Sequence, residues 1–236
     1  MWLSTVPTWL SVLFLIAIPI PVILVALLSR NAAKKNKAIV FAGIVAFFAA
    51  YFIYVYMACI NKMFEVQSVP PQIVKLTTLP LMIFLVLVVF NLPFWKAINR
   101  ETKASAFIRI HLFRLIGSFL LILSLLHQLP LVFGLIAGLG DVITALTSIY
   151  VARIIEQKKS NSKAIALVWN TFGLLDILAT STMAIVFTKL SIETGSAGVD
   201  ALGKFPFCLI PAFAPPIIIF LHLSLYRKLL VKRFAD

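Results

Sequence analysis

The sequence predicts an all-α polytopic membrane protein: a single domain over residues 1–236 forming a bundle of seven transmembrane helices, N-terminus outside and C-terminus cytoplasmic. Three observations carry that expectation. Apolar residues make up 62% of the 236-residue chain and charged ones 12%, against about 45–50% and about 25% in a soluble domain. The excess recurs in blocks of about 20 residues, the length that crosses a hydrocarbon core about 30 Å thick. The connections between blocks alternate between strongly basic and weakly charged, the pattern that orients a membrane protein.

The first block runs over about 9–28 and lacks the basic start and cleavage site of a signal peptide. Pro19 and Pro21 lie inside it, which a membrane helix tolerates when neighbours serve the freed carbonyls. The second covers about 38–60, with Tyr51, Tyr54 and Tyr56 towards its far end as interfacial aromatics. The third covers about 78–98 and carries Asn91 and Pro93 near its end. The fourth (about 106–126) and the fifth (about 131–154) are joined at Pro130 as a tight hairpin. The sixth covers about 164–189 and leads into a Gly- and Ser-containing loop, SIETGSAGVDALGKF, read as flexible. The seventh covers about 207–226, with Pro211, Pro215 and Pro216 in its first half.

The odd connections and the tail carry the basic residues: Arg30, Lys34, Lys35 and Lys37; Lys96, Arg100, Lys103 and Arg109; Arg153, Lys158, Lys159 and Lys163; Arg227, Lys228, Lys232 and Arg233. The even ones hold Lys62 and Lys75, then none, then Lys189 and Lys204. That segregation explains the net charge of +13 without nucleic acid. It makes the lipid bilayer and its anionic headgroups the expected partners. Cys59 and Cys208 show no metal-ligand spacing, and a disulfide between them requires both at the outer face.

Against this background a few groups stand out. Arg114, Asp141 and Asp176 sit inside three successive apolar blocks, where each ionised residue costs about 2.5–3.5 kcal/mol on insertion scales. His111, Arg114 and Ser118 share a helical face, as do Gly134, Gly138, Asp141, Ala145 and Ser148; Trp169, Gly173, Asp176, Thr180 and Met183; and Pro211, Pro215, His222 and Tyr226. Counting about 1.5 Å per residue from the basic ends puts Asn91, His111 and His222 about 6 Å deep, Arg114 and Asn170 about 9–11 Å, and both aspartates about 16–18 Å. The expectation is a polar site of Arg114, Asp141, Asp176, His222, Asn170, Trp169, His111 and Asn91, open towards the cytoplasm. Arg114 should reach both aspartates. One Arg against two Asp leaves a negative excess that favours a bound proton or cation. Pro80, Asn91 and Trp95 also align with Pro211, His222 and Tyr226, a likeness read as chance between two apolar helices.

The stretches FRLIGSF, GLGD, WNTFGLLD, IPAFAPP and FLHL resemble an uncharacterised family of bacterial seven-helix integral membrane proteins, over the fourth to seventh blocks. The resemblance implies a bacterial inner-membrane protein with Arg114, Asp141, Trp169, Asp176 and His222 as its focal residues; it implies no reaction. The leading expectation is a small inner-membrane transporter or a ligand- or proton-handling protein. A second is a haem- or quinone-associated redox protein using His111 and His222. A third is a structural or sensory protein whose charges staple helices. A retinal protein is excluded, since the seventh block has no lysine for a Schiff base. No catalytic or metal-ligating set emerges, so an enzyme is less expected. Cofactor, ligand and oligomeric state are not specified.

Overall fold

A computed structural model describes residues 5–230, all of whose regular structure is helical. Lys232 and Arg233 of the basic tail lie outside the described residues. The elements are α1 (Thr8–Ala17), α2 (Pro19–Ala32), α3 (Lys37–Ile60), α4 (Leu79–Ile83), α5 (Pro93–Glu101), α6 (Ala104–Ile110), α7 (Ser118–Leu125), α8 (Leu131–Glu156), α9 (Ser162–Thr194) and α10 (Leu209–Leu230). Seven paths among them are long and apolar enough to cross a membrane: Thr8–Ala32, Lys37–Ile60, Val74–Asn91, Ala104–Leu125, Leu131–Glu156, Ser162–Thr194 and Leu209–Leu230.

α10 is the hub. It is buried over most of its length and packs against α9, α4 and the turns beside it, α6 and α3. The sequence suggests one inward stripe on this helix; instead its middle is reached from all sides, with Ile217, Ile218, Phe220, Leu221 and His222 all buried. That follows from its composition, since a helix apolar all round belongs in a core. α3 and α9 have few fully buried residues; α9 nonetheless packs closely on α8 and α10.

The prolines explain where hydroxyls sit. Pro215 and Pro216 have no N–H for the carbonyls four residues earlier. Thr78 Oγ1 donates to Pro211 O at 2.7 Å, and Tyr51 Oη to Ala212 O at 3.3 Å. Pro80 likewise cannot serve Leu76 O, which accepts from Tyr54 Oη at 3.0 Å. Tyr51 and Tyr54 are thus partners for carbonyls that prolines leave free, not simply interfacial aromatics.

Two expected boundaries are corrected. The third block does not run unbroken over 78–98. It winds as π turns over Val74–Thr78 and Phe84–Val88 and as a 3₁₀ turn over Val89–Asn91, then breaks at Leu92, whose ψ of 140° is the extended backbone that a residue before proline adopts. The freed Phe90 O accepts from Arg227 Nη1 at 2.6 Å, and that guanidinium stacks 3.5 Å over the Phe90 ring. α5 then folds back on α10, Trp95 Nε1 donating to Ser224 Oγ at 3.0 Å and Asn99 Nδ2 to Ser224 O at 2.8 Å. The second correction is that α9 continues to Thr194 before Gly195 ends it at φ 70°, so SIET is helix and the loop begins later.

The basic connections gather at one end. Lys34 pairs with Glu101 at 3.3 Å, Arg109 with Glu156 at 2.6 Å, and Lys228 Nζ donates to Arg100 O at 2.8 Å. The Lys34 ammonium holds the exposed Glu101 carboxyl below its ordinary range. At the other end Thr5 Oγ1 donates to Gln128 Oε1 at 2.6 Å and Tyr56 packs on Phe205 at 5.2 Å. The up-and-down alternation expected from the charges is the alternation of the fold.

Candidate functional site

The site is built around an interruption in the fourth span. Between α6 and α7 the residues His111–Gly117 wind as a 3₁₀ helix, long for a form that rarely exceeds three or four residues. In a 3₁₀ turn side chains at i and i+3 eclipse. His111, Arg114 and Gly117 therefore line up on the buried face, while Leu112 and Leu115 point outward. The α-helical face of His111, Arg114 and Ser118 is corrected accordingly: Gly117 takes the third place, and Ser118 turns partly outward.

Arg114 is 1% exposed and its guanidinium is held on every side. Nε donates to Asp141 Oδ1 of α8 at 2.6 Å, and Nη2 donates to Asp176 Oδ2 of α9. Nη1 donates to Gly173 O at 3.0 Å and meets His222 Nε2 of α10 at 3.2 Å. A guanidinium has only donors, so His222 Nε2 accepts. Its proton is then on Nδ1, which donates to Asn170 Oδ1 at 2.7 Å, and Asn170 Nδ2 donates back to His222 O at 3.1 Å. The network so defines one neutral tautomer of His222.

Small residues allow these approaches. A Cβ on Gly117 would collide with the Asp141 side chain, one on Gly140 with the Asp176 carboxylate, and one on Gly173 would come within 2.7 Å of His222 Cε1. Each of three charged or polar groups is seated against a glycine of another helix.

His111 is fully buried, with its ring centroid 4.2 Å from that of His222 and the planes 30° apart. Neither of its ring nitrogens has a hydrogen-bond partner among the described residues, and the same holds for Thr144 Oγ1. The Trp169 ring stands edge-on to His111 at 5.3 Å, and its Nε1 donates to Thr147 Oγ1 at 3.0 Å. Trp169 also lies beside His222, with ring centroids 5.9 Å apart. A haem between His111 and His222 would need them on opposite sides of a planar ring; here they stack, and both His222 nitrogens are engaged.

Seven of the eight expected residues thus converge. The exception is Asn91, which is exposed and donates to Leu87 O of its own span at 3.0 Å. It closes the exposed 3₁₀ turn before the break at Leu92, and its alignment with His222 has no structural counterpart. Among the described residues, a cavity meets the network beside the first span and the first half of α10. The cavity that touches Arg114 and Asp141 holds about 40 Å³ and is walled by Ile18, Pro21, Phe113, Phe213 and Ile217. That is room for water, not for an organic solute.

A family model described as a domain of unknown function (DUF8737) matches residues 71–230. The chain belongs to that family. The DUF8737 region takes in the third span as well as the fourth to seventh, and with them every residue of the network. No curated protein and no solved structure matches the chain. The parts outside the DUF8737 region still shape the site, since Ile18 and Pro21 of the first span wall the cavity and Tyr51 of α3 serves the proline-containing half of α10.

Gly117, Gly140 and Thr144 are the residues that reading the sequence missed. Gly140 stands directly before Asp141 in GLGD, and Thr144 lies one helical turn beyond it. Their part depends on what the facing helix brings, which no single-helix pattern contains.

Proposed function

We propose that this chain is a seven-span protein of a bacterial inner membrane, N-terminus outside, that binds and releases a proton at the Arg114–Asp141–Asp176 site. One observation carries the reading: a single buried guanidinium bridges two carboxylates, and the adjoining His222 is held in a neutral form. Formal charge is then one negative in excess. In a low-dielectric core such an excess is costly unless a proton or cation joins it. The cavity of about 40 Å³ favours a proton, with at most a water beside it, over a larger solute. The basic end faces the cytoplasm in this reading, against anionic headgroups.

The proton is tested by infrared spectroscopy. Near neutral pH the wild-type protein is expected to show a protonated-carboxyl C=O stretch that Asp141→Asn/Asp176→Asn lacks. In proteoliposomes under an imposed pH gradient the wild type should move protons and the double variant should not. Identical spectra and fluxes for the two proteins would refute the reading. The competing one is a staple, favoured by the closed packing around Arg114; it predicts the loss of stability without any proton movement to lose.

Orientation has its own test. A cysteine at Ser160 should be shielded from an impermeant maleimide in intact cells, and one at Ser196 should be labelled. The labelling is done in a Cys59→Ser/Cys208→Ser background, so that the native thiols, buried in the fold, add no signal. The reverse labelling pattern would invert the topology.

A further inference from the structure

Two cavities meet at the basic end, beside the short helix α5 that follows the break at Leu92. One of about 190 Å³ lies between the α2–α3 connection and α5, with Lys34, Lys35, Phe94 and Arg100 in its wall. The other, of about 640 Å³, lies between α2 and α6, with Asn31, Lys103, Arg109 and Glu156 at its rim. Ala32 and Glu101 line both, so the two are lobes of one groove. Its cations are Lys34, Lys35, Arg100, Lys103 and Arg109, and its carboxylates are Glu101 and Glu156. Both carboxylates are already engaged, Glu101 by Lys34 at 3.3 Å and Arg100 at 3.4 Å, and Glu156 by Arg109 at 2.6 Å. Lys35 and Lys103 have no ion-pair partner among the described residues. Each lobe therefore carries a positive charge that the protein does not answer.

The larger lobe is graded along its depth. Its rim sits at helix ends: Ala32 closes α2, Lys103 precedes α6 and Glu156 closes α8. Its floor is apolar, made by Leu24, Leu27 and Leu28 of α2, Ala106 and Ile110 of α6, and Leu112. Leu24 lies about 12 Å along α2 from Ala32, inside the hydrocarbon layer when the helix ends stand among the headgroups. A soluble anion would use the rim and leave the cleft empty. A plain hydrocarbon would fill the cleft and leave the lysines unanswered. A headgroup joined to an acyl chain uses both.

We propose that this groove binds one anionic phospholipid, its phosphate met by Lys35 and Lys103 and an acyl chain lying in the cleft between α2 and α6. Basic pockets between spans recognise anionic headgroups in this way. The chain would tie the first span to the fourth and rest on Ile110 and Leu112, the neighbours of His111 at the start of the 3₁₀ turn. The proposal rests on insertion into a membrane, and neither on the proton reading nor on the orientation.

The test titrates delipidated full-length protein in neutral detergent with phosphatidylglycerol or phosphatidylcholine and counts bound lipid by native mass spectrometry. Wild type is expected to hold one phosphatidylglycerol at concentrations where phosphatidylcholine stays unbound, and its melting midpoint should rise with that occupancy. Lys35→Gln/Lys103→Gln removes two exposed, unpaired lysines. It should weaken phosphatidylglycerol binding by about thirtyfold, about fivefold for each lysine, and leave the melting midpoint of the lipid-free protein unchanged. Lys62→Gln/Lys75→Gln makes the same change in charge at the opposite end and should bind as wild type does. Equal weakening by the two double variants would reduce the effect to net charge and overturn the site, as would equal binding of the two lipids. Glycerol 3-phosphate offers the anion without the chain and should leave the midpoint in place. A shift as large as the phospholipid's would show a site for a free anion and overturn the lipid assignment.

Discussion

Replacing Arg114 with glutamine should weaken the fold by about 3–5 kcal/mol, the range for breaking a buried ion pair by removing one partner. The loss is large because the guanidinium serves four acceptors on three helices: Asp141, Asp176, Gly173 O and His222 Nε2. Glutamine is shorter, neutral and cannot reach that set. It leaves two carboxylates facing an apolar core, where each must be neutralised or hydrated. Lysine is not a conservative substitute either, because a point charge lacks the fork that engages both carboxylates. Denaturant unfolding in micelles measures the effect. The triple variant Arg114→Gln/Asp141→Asn/Asp176→Asn should regain much of the lost stability, since it removes the stranded charges together with their partner. If Arg114→Gln alone unfolds within about 0.5 kcal/mol of wild type, the size of an ordinary surface substitution, the network does not hold these helices together. If the triple variant still moves protons at the wild-type rate, the charges are a staple and the proton-handling reading fails.

The seven paths and the core of this site were legible because both rest on exceptions to composition. Blocks of apolar residues mark spans, and a charge inside a block marks a place the bilayer would reject. Arg114, Asp141 and Asp176 announce themselves in that way; His111 and Trp169 follow from sharing faces with Arg114 and Asp176, and Asn170 and His222 from their depth. What was not legible depends on hydrogen-bond pattern or on partners. An α-turn and a 3₁₀ turn have the same composition, so the winding of His111–Gly117 and the swap of Ser118 for Gly117 left no trace in residue types. The break after Asn91 does leave one, in the proline two residues on; applied to the end of that span, the proline rule takes Asn91 out of the site. The hydroxyls of Thr78, Tyr51 and Tyr54 answer to prolines on other helices or other turns, a pairing that no window along one helix contains. The tight seating of the Arg114 side chain among its partners was not legible for a related reason. Depth counting places side chains along the axis and says nothing of how far a long arginine bridges the gap between them.

Gly140→Ala provides the sharpest check on the packing that the sequence did not reveal. Alanine in a helix interior is ordinarily favoured over glycine by about 0.8–1.0 kcal/mol. Gly43 on α3 has open space where a Cβ would go, so Gly43→Ala should follow that rule and stabilise. At Gly140 the added methyl meets the Asp176 carboxylate, the one that Arg114 Nη2 holds. Something must move. If α8 and α9 separate, the cost is that of overpacking, about 1–3 kcal/mol. If Asp176 swings away instead, it abandons Arg114 and the cost rises towards that of a broken buried pair, about 3–5 kcal/mol. Either way Gly140→Ala destabilises where Gly43→Ala does not. The decisive comparison is made in an Asp176→Ala background, where the obstructing carboxylate is gone. There Gly140→Ala should become neutral or stabilising, so that the two substitutions couple by more than about 1 kcal/mol, well above the error of additivity between independent sites. Equal costs in both backgrounds would mean that Asp176 does not rest on Gly140, and the geometry that brings it to Arg114 would have to be redrawn.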